Sequence, residues 1–211
     1  MSLILYGIKT FLAFLIVLTP FVGVSAFVAL SSGITNPREK ARIVLKTSTA
    51  VAVIMLVFLF LGNYIFRLFG ITLPAFQIAG GIIIFGNGLA MVRVRTDLKY
   101  TPEEATEGIG KEDFSVVPLA IPMLCGPATI STVLLYSAES PDAAHLAAIV
   151  AAVVLSAAAV YVLLRLAADV ARFLGITGMN VLTRIMGLLL ASLAVEIIYK
   201  GVAAFIAQVR A

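Results

Sequence analysis

The chain has 211 residues, 62% of them hydrophobic and only 12% charged, with a mean hydropathy of +1.12. Globular chains are roughly half apolar and about a quarter charged, so a soluble enzyme, a disordered chain and a nucleic-acid-binding module are excluded. The net charge of +4 is what basic cytoplasmic loops give a membrane protein, and the lone Cys125 and lone His145 leave no internal disulfide, no cysteine metal site and no histidine cluster.

Six stretches have the ~20 mostly apolar residues that a transmembrane helix needs: 10–30, 43–61, 73–92, 115–137, 143–164 and 181–207. The first reads as a membrane helix and not as a cleaved leader. It has a passable small-residue site at Val24-Ser25-Ala26, but its only upstream charge is Lys9 and apolar residues precede that lysine. Near its middle, Thr19-Pro20-Phe21-Val22-Gly23 interrupts the helix. The second span carries Lys46, and 62–72 reads as an interfacial turn in which Arg67 snorkels to the headgroups. The third holds Gly80-Gly81 and Gly86-Asn87-Gly88. Its glycines suit close helix packing, and Asn87 either lines a cavity or bonds a neighbouring helix.

The loop that follows carries Glu103, Glu104, Glu107, Glu112 and Asp113 among basic neighbours and reads as a solvated surface without catalytic or metal-binding work. The fourth span contains Pro122 and then Gly126-Pro127-Ala128-Thr129. Residues 165–180 read as an interfacial connection with Arg172 snorkelling. The sixth span carries Arg184 near one end, then Glu196 and Lys200 four apart on one helical face. Glu196 is either half of a structural ion pair or, as an intramembrane acid, a proton-coupling residue.

The loops after the first, third and fifth spans hold 11 of the 15 basic residues. That excess marks the cytoplasmic side and puts both termini outside. The chain also repeats at half its length. Arg67-Leu68-Phe69-Gly70-Ile71-Thr72 returns as Arg172-Phe173-Leu174-Gly175-Ile176-Thr177 at an offset of 105, Gly81 as Gly187 at 106, and Pro20 as Pro127 at 107. The expected architecture is a single all-α membrane domain of six helices in two halves, 1–105 and 106–211. Three spans per half make the halves inverted repeats, the plan of many secondary transporters.

Proline removes a donor and clashes with the preceding turn, yet suits the first position of a new helix. Thr19-Pro20 and Gly126-Pro127 therefore read either as simple kinks or as a break and restart in spans one and four. In the second case each restarted helix offers free N–H groups to a carboxylate, and each interrupted end offers carbonyls to an ammonium. Two such breaks near the midplane would cradle a small zwitterion between Thr19, Pro20, Phe21, Val22 and Gly23 on one side and Gly126, Pro127, Ala128 and Thr129 on the other, with Asn87 nearby.

Three stretches resemble the MarC family of integral membrane proteins: Val116-Val117-Pro118-Leu119-Ala120-Ile121-Pro122 followed by Gly126-Pro127, Leu73-Pro74-Ala75-Phe76-Gln77-Ile78-Ala79-Gly80-Gly81, and Arg184-Ile185-Met186-Gly187-Leu188. The resemblance implies six spans in two inverted halves and transport of small neutral amino acids such as glycine and alanine, with proton coupling. Thr19, Val22 and Ser25 depart from its first-span pattern, and Glu196 and Lys200 from its last. The expectation is a secondary transporter in the cell inner membrane, not an enzyme, with no cofactor and no metal, whose partners are the amino acid and membrane lipid. Its oligomeric state is open. The alternative is a passive channel or export pore for small metabolites.

Overall fold

The computed structural model describes residues 2–93, 114–140 and 142–209. The acidic run from Glu103 to Asp113 lies outside the described residues. Eight helical segments follow one another among the described residues, without strands.

The first, α1 (Leu3–Val17), starts with the Ser2 hydroxyl accepting from the Leu5 N–H at 3.4 Å. Thr19 then takes left-handed backbone, φ 46°, and α2 (Pro20–Leu30) restarts on Pro20. Asn36 caps α3 (Pro37–Phe69), accepting from the Arg38 N–H at 3.0 Å. That helix stops at Gly70, φ 63°, a left-handed end that glycine takes without penalty. It is followed by α4 (Leu73–Arg93).

The next segment, α5 (Ser115–Leu124), is irregular. Val117 and Ile121 are extended because each precedes a proline, which disfavours helical backbone there. Its N–H bonds from Leu119 and Cys125 consequently reach back five residues, to Phe114 and Ala120. It bends by 67° into α6 (Pro127–Glu139). Asp142 caps α7 (Ala143–Arg165), and the His145 backbone N–H holds its carboxyl below the ordinary value. The last segment, α8 (Ala167–Val209), is interrupted at Gly175, φ 62°.

Among the described residues, α1 and α2 taken together, α3, α4, α7 and α8 are each long and apolar enough to cross a membrane, and the bent α5–α6 pair makes a sixth span. The expected spans are present with shifted ends. The first begins at Leu3, and the second runs from Pro37 to Phe69. Residues 165–180, expected as a connection, are mostly helix and carry the break at Gly175.

The helices α4 and α8 run antiparallel in close contact. A Cβ on Gly88 would stand 2.7 Å from the Ala191 nitrogen, and one on Gly187 would stand 2.8 Å from the Gly88 carbonyl oxygen. Only glycine permits backbones this close. Elsewhere α1 packs on α7, α6 on α3, and α3 on α7. The larger core joins Phe14, Leu18, Phe27, Met55, Leu124 and Ile149, and a smaller one joins Val17, Ile84, Ala128, Leu190 and Ala194.

Where α1 begins and α6 ends, aromatic side chains pack together. The Tyr136 ring lies 5.2 Å from Phe14 and 6.4 Å from Tyr6, and Tyr6 stacks edge-on against His145 at 4.8 Å. Polar ties reinforce this end. Gln77 Nε2 donates to Glu139 Oε1 at 2.7 Å, and Ser137 Oγ to the Leu59 carbonyl at 2.6 Å.

Candidate functional site

The two proline restarts meet inside the bundle. The Thr129 hydroxyl, in the first turn of α6, donates to the Leu124 carbonyl at 2.9 Å, and the Val17 carbonyl lies 3.4 Å from the same oxygen. These are the last carbonyls of α5 and α1, so one side chain touches both interrupted ends. A Cβ on Gly23 would stand 2.7 Å from Leu124 Cδ2, which brings α2 equally close to α5.

A cavity of about 830 Å³ opens beside this junction. Its walls come from α2 through Thr19, Val22, Ser25 and Val28, and from the break at Pro122–Thr129. The last turns of α4, through Asn87, Met91 and Arg93, and α8, through Gly175, Met179, Asn180 and Thr183, complete it. It extends from the junction toward the end of the bundle where α2 and α4 finish, away from the aromatic cluster. The volume lies in the range of small-molecule sites. The lining is mostly apolar, with a few hydroxyls, two amides and the Arg93 guanidinium.

Of the residues expected from the sequence, Thr19, Val22, Asn87, Gly126, Pro127, Ala128 and Thr129 line the cavity. Pro20, Phe21 and Gly23 do not. Pro20 and Gly23 are buried, and Phe21 packs against the larger core. A helix turns successive side chains by 100°, so the contiguous run divides between two faces and Thr19, Val22 and Ser25 share the wet one. Asn87, for which lining and helix bonding were both open, stands on the cavity wall. Glu196 is away from the cavity and pairs with Lys200 at 3.8 Å on the outside of α8.

The local chemistry differs from expectation in one respect. The carbonyls expected to meet an ammonium are engaged by Thr129, and the Val22 and Gly23 N–H groups turn back on the Thr19 carbonyl at 3.0 and 3.2 Å. Two features of the cavity wall favour an anion, the N-terminus of α6 at Ala128 and Thr129 and the Arg93 guanidinium at the other end.

Sequence reasoning missed Gly175, Asn180, Thr183 and Arg93 as lining residues. Gly175 carried a signal, because it belongs to the repeated Arg172–Thr177 motif and its counterpart Gly70 also takes positive φ.

The chain matches the family described as MarC family integral membrane protein over residues 4–206. It belongs to the MarC family. Among its relatives, the UPF0056 membrane protein MJ1677 of Methanocaldococcus jannaschii is 33% identical over 93% of this chain and 96% of its own length. The UPF0056 membrane protein YhcE of Escherichia coli is 34% identical, covering 92% of this chain and 90% of its own. The UPF0056 membrane protein YvbG of Bacillus subtilis is 35% identical, covering 92% of each chain. No solved structure matches. The MarC match therefore takes in both proline breaks, the paired glycines of α4 and α8 and the whole cavity lining.

Thr19 is the one non-glycine residue with positive φ among those described. Left-handed backbone costs an L-residue about 1–2 kcal/mol, and asparagine tolerates it better than a β-branched residue. Thr19→Asn should therefore raise the thermal unfolding midpoint in detergent, a stabilisation of about 1 kcal/mol. A lower midpoint would show that the threonine methyl makes packing contacts worth more than the strain.

Proposed function

We propose that the protein is a secondary transporter of small neutral amino acids, such as glycine and alanine, that works by alternating access. The observation that carries this reading is a cavity with two broken helices at its inner end and the packed Phe14–Tyr136 rings, Phe14 fully buried, beyond them. Breaks at matching positions of two halves mark the substrate sites of many carriers. A site closed on one side and open on the other suits a carrier better than a continuous pore.

The internal arrangement supports two inverted repeats, 1–105 and 106–211. Both restarts carry proline in the first turn, at Pro20 and Pro127. The first helix of each half packs on the second helix of the other, α1 on α7 and α6 on α3. At the α4–α8 crossing, Gly81 lies against Ile198 while its counterpart Gly187 lies against Met91. With the positive charges placing the ends of α2 and α4 in the cytoplasm, the protein sits in the cytoplasmic membrane with both termini outside, and this conformation opens inward.

In this site the substrate carboxylate faces the α6 N-terminus. Its ammonium competes with the Thr129 hydroxyl for the Leu124 and Val17 carbonyls, and Asn87 and Asn180 supply further polar contacts. The lining contains no carboxylate among the described residues. Glu196, on the other face of α8, therefore acts on transport only at a distance if it couples protons.

Counterflow tests the proposal. Labelled glycine or alanine should accumulate, saturably, in liposomes that contain the purified protein and excess unlabelled amino acid. Flux that neither saturates nor exchanges would favour a pore.

A further inference from the structure

A second, smaller pocket lies where four helix ends meet. The end of α2 at Ser31 and Ser32, the start of α3 at Pro37, the end of α7 at Arg165 and the start of α8 at Ala168 surround about 370 Å³. The ends of membrane-spanning helices lie at the membrane surface, so this pocket is at headgroup level. Val28 of α2 lines both this pocket and the larger cavity, so the two share a wall.

The sign of the pocket is set by its side chains. Two helix starts and two helix ends face it, and their dipoles oppose one another. What remains is Lys40, in the first turn of α3, and Arg165. No Asp or Glu lines the pocket, and neither cation lies within ion-pair distance of a carboxylate among the described residues. Ser31 adds a hydroxyl. The residue is only 3% exposed, and its side chain makes no hydrogen bond among the described residues. Buried hydroxyls left without a partner are costly. Two cations without counter-ions and an unpartnered hydroxyl thus surround one hollow.

We propose that this pocket binds the phosphate group of a ligand of net negative charge, an anionic phospholipid or free phosphate. The Arg165 guanidinium suits two phosphate oxygens at once, Lys40 supplies a point charge, and the Ser31 hydroxyl donates to a remaining oxygen. Basic pockets between membrane helices suit anionic headgroups. Of the two sources, the lipid is favoured by the apolar part of the lining. Phe27, Val44 and Leu164 suit the glycerol and first methylenes, which free phosphate lacks. Either occupant ties α3 to the end of α7, behind the α2 wall of the larger cavity.

Lipid binding to the purified full-length chain tests this, read as adducts in native mass spectra. Phosphatidylglycerol should bind and phosphatidylcholine, which is neutral, should bind more weakly. Lys40→Gln combined with Arg165→Gln should weaken the first phosphatidylglycerol adduct by about ten-fold or more, since each basic residue adds to the hold on an anionic headgroup. Arg38→Gln combined with Arg172→Gln removes the same charge from exposed positions outside the pocket. That control should change binding by less than about two-fold, because exposed charges away from the site are screened. Sodium phosphate, compared with sodium chloride at equal ionic strength, covers the other source. A thermal midpoint raised by phosphate in the parent and not in the pocket variant, with phosphatidylglycerol bound alike by both, would assign the pocket to free phosphate. Equal binding of the two lipids by the parent with no effect of phosphate would overturn the proposal, and that arm needs no variant to fold. A pocket variant that binds both probes as the parent does, or a control that loses as much binding as the pocket variant, would overturn it too.

Discussion

Gly126→Val should abolish amino-acid exchange in proteoliposomes, lowering its rate by about 100-fold or more, as a displacement of about 1 Å at a binding site can. Gly126 has extended backbone, φ −79° and ψ −178°, which valine also adopts, so the substitution carries no local conformational penalty. What it meets is backbone. A Cβ at this position would stand 2.9 Å from the Pro122 carbonyl oxygen, inside the fold of the break itself. The α5–α6 bend must open, and that moves Thr129 away from the Leu124 and Val17 carbonyls it touches. The protein should still be recovered folded and monodisperse, because the larger core does not depend on this atom. Exchange at an unchanged rate would mean that the break does not shape the transport site.

Gly88→Leu should have the largest effect on folding, a destabilisation of about 3 kcal/mol or more, beyond the usual range for overpacking. The clash is with backbone atoms, Ala191 N at 2.7 Å and Gly187 O at 2.8 Å, so no flexible side chain can yield. The α4 and α8 helices would have to separate, losing the packing that joins both halves. Gly86→Leu, two residues away, is the control, because nothing lies within 4 Å of its added Cβ and it should be nearly neutral. The check is thermal unfolding and monodispersity of both variants in one detergent. Equal behaviour of the two would contradict the crossing.

Much of this fold is legible in the sequence because lipid imposes a simple rule. Apolar runs of sufficient length become helices, and Pro20 and Pro127 mark where two of them break. The ends are harder to read. The first turns of α3, Pro37 to Arg42, are charged and fail a hydropathy test, although Asn36 and Pro37 form an ordinary helix start. Gly175 reads equally well as a loop residue or as a break within a continuing helix, because helix resumes on both sides only in the tertiary context. The site is half legible. The chemistry of a break points to Gly126 through Thr129, whereas the division of the Thr19–Gly23 run between cavity and core follows from the rotation of α2. Asn180 and Thr183 enter the cavity because α8 packs against α2, a long-range packing that no local pattern encodes.

If a small amino acid occupies the cavity beside the two breaks, it should protect a single cysteine placed there. Ser25 lines the cavity and is exposed. Ser25→Cys in the Cys125→Ala background, purified and shown to retain counterflow, should react with a soluble thiol reagent. Saturating glycine or alanine should slow that reaction several-fold, and a bulky charged amino acid should not. Labelling at the same rate with and without glycine or alanine, in protein that exchanges them, would place the substrate outside this cavity.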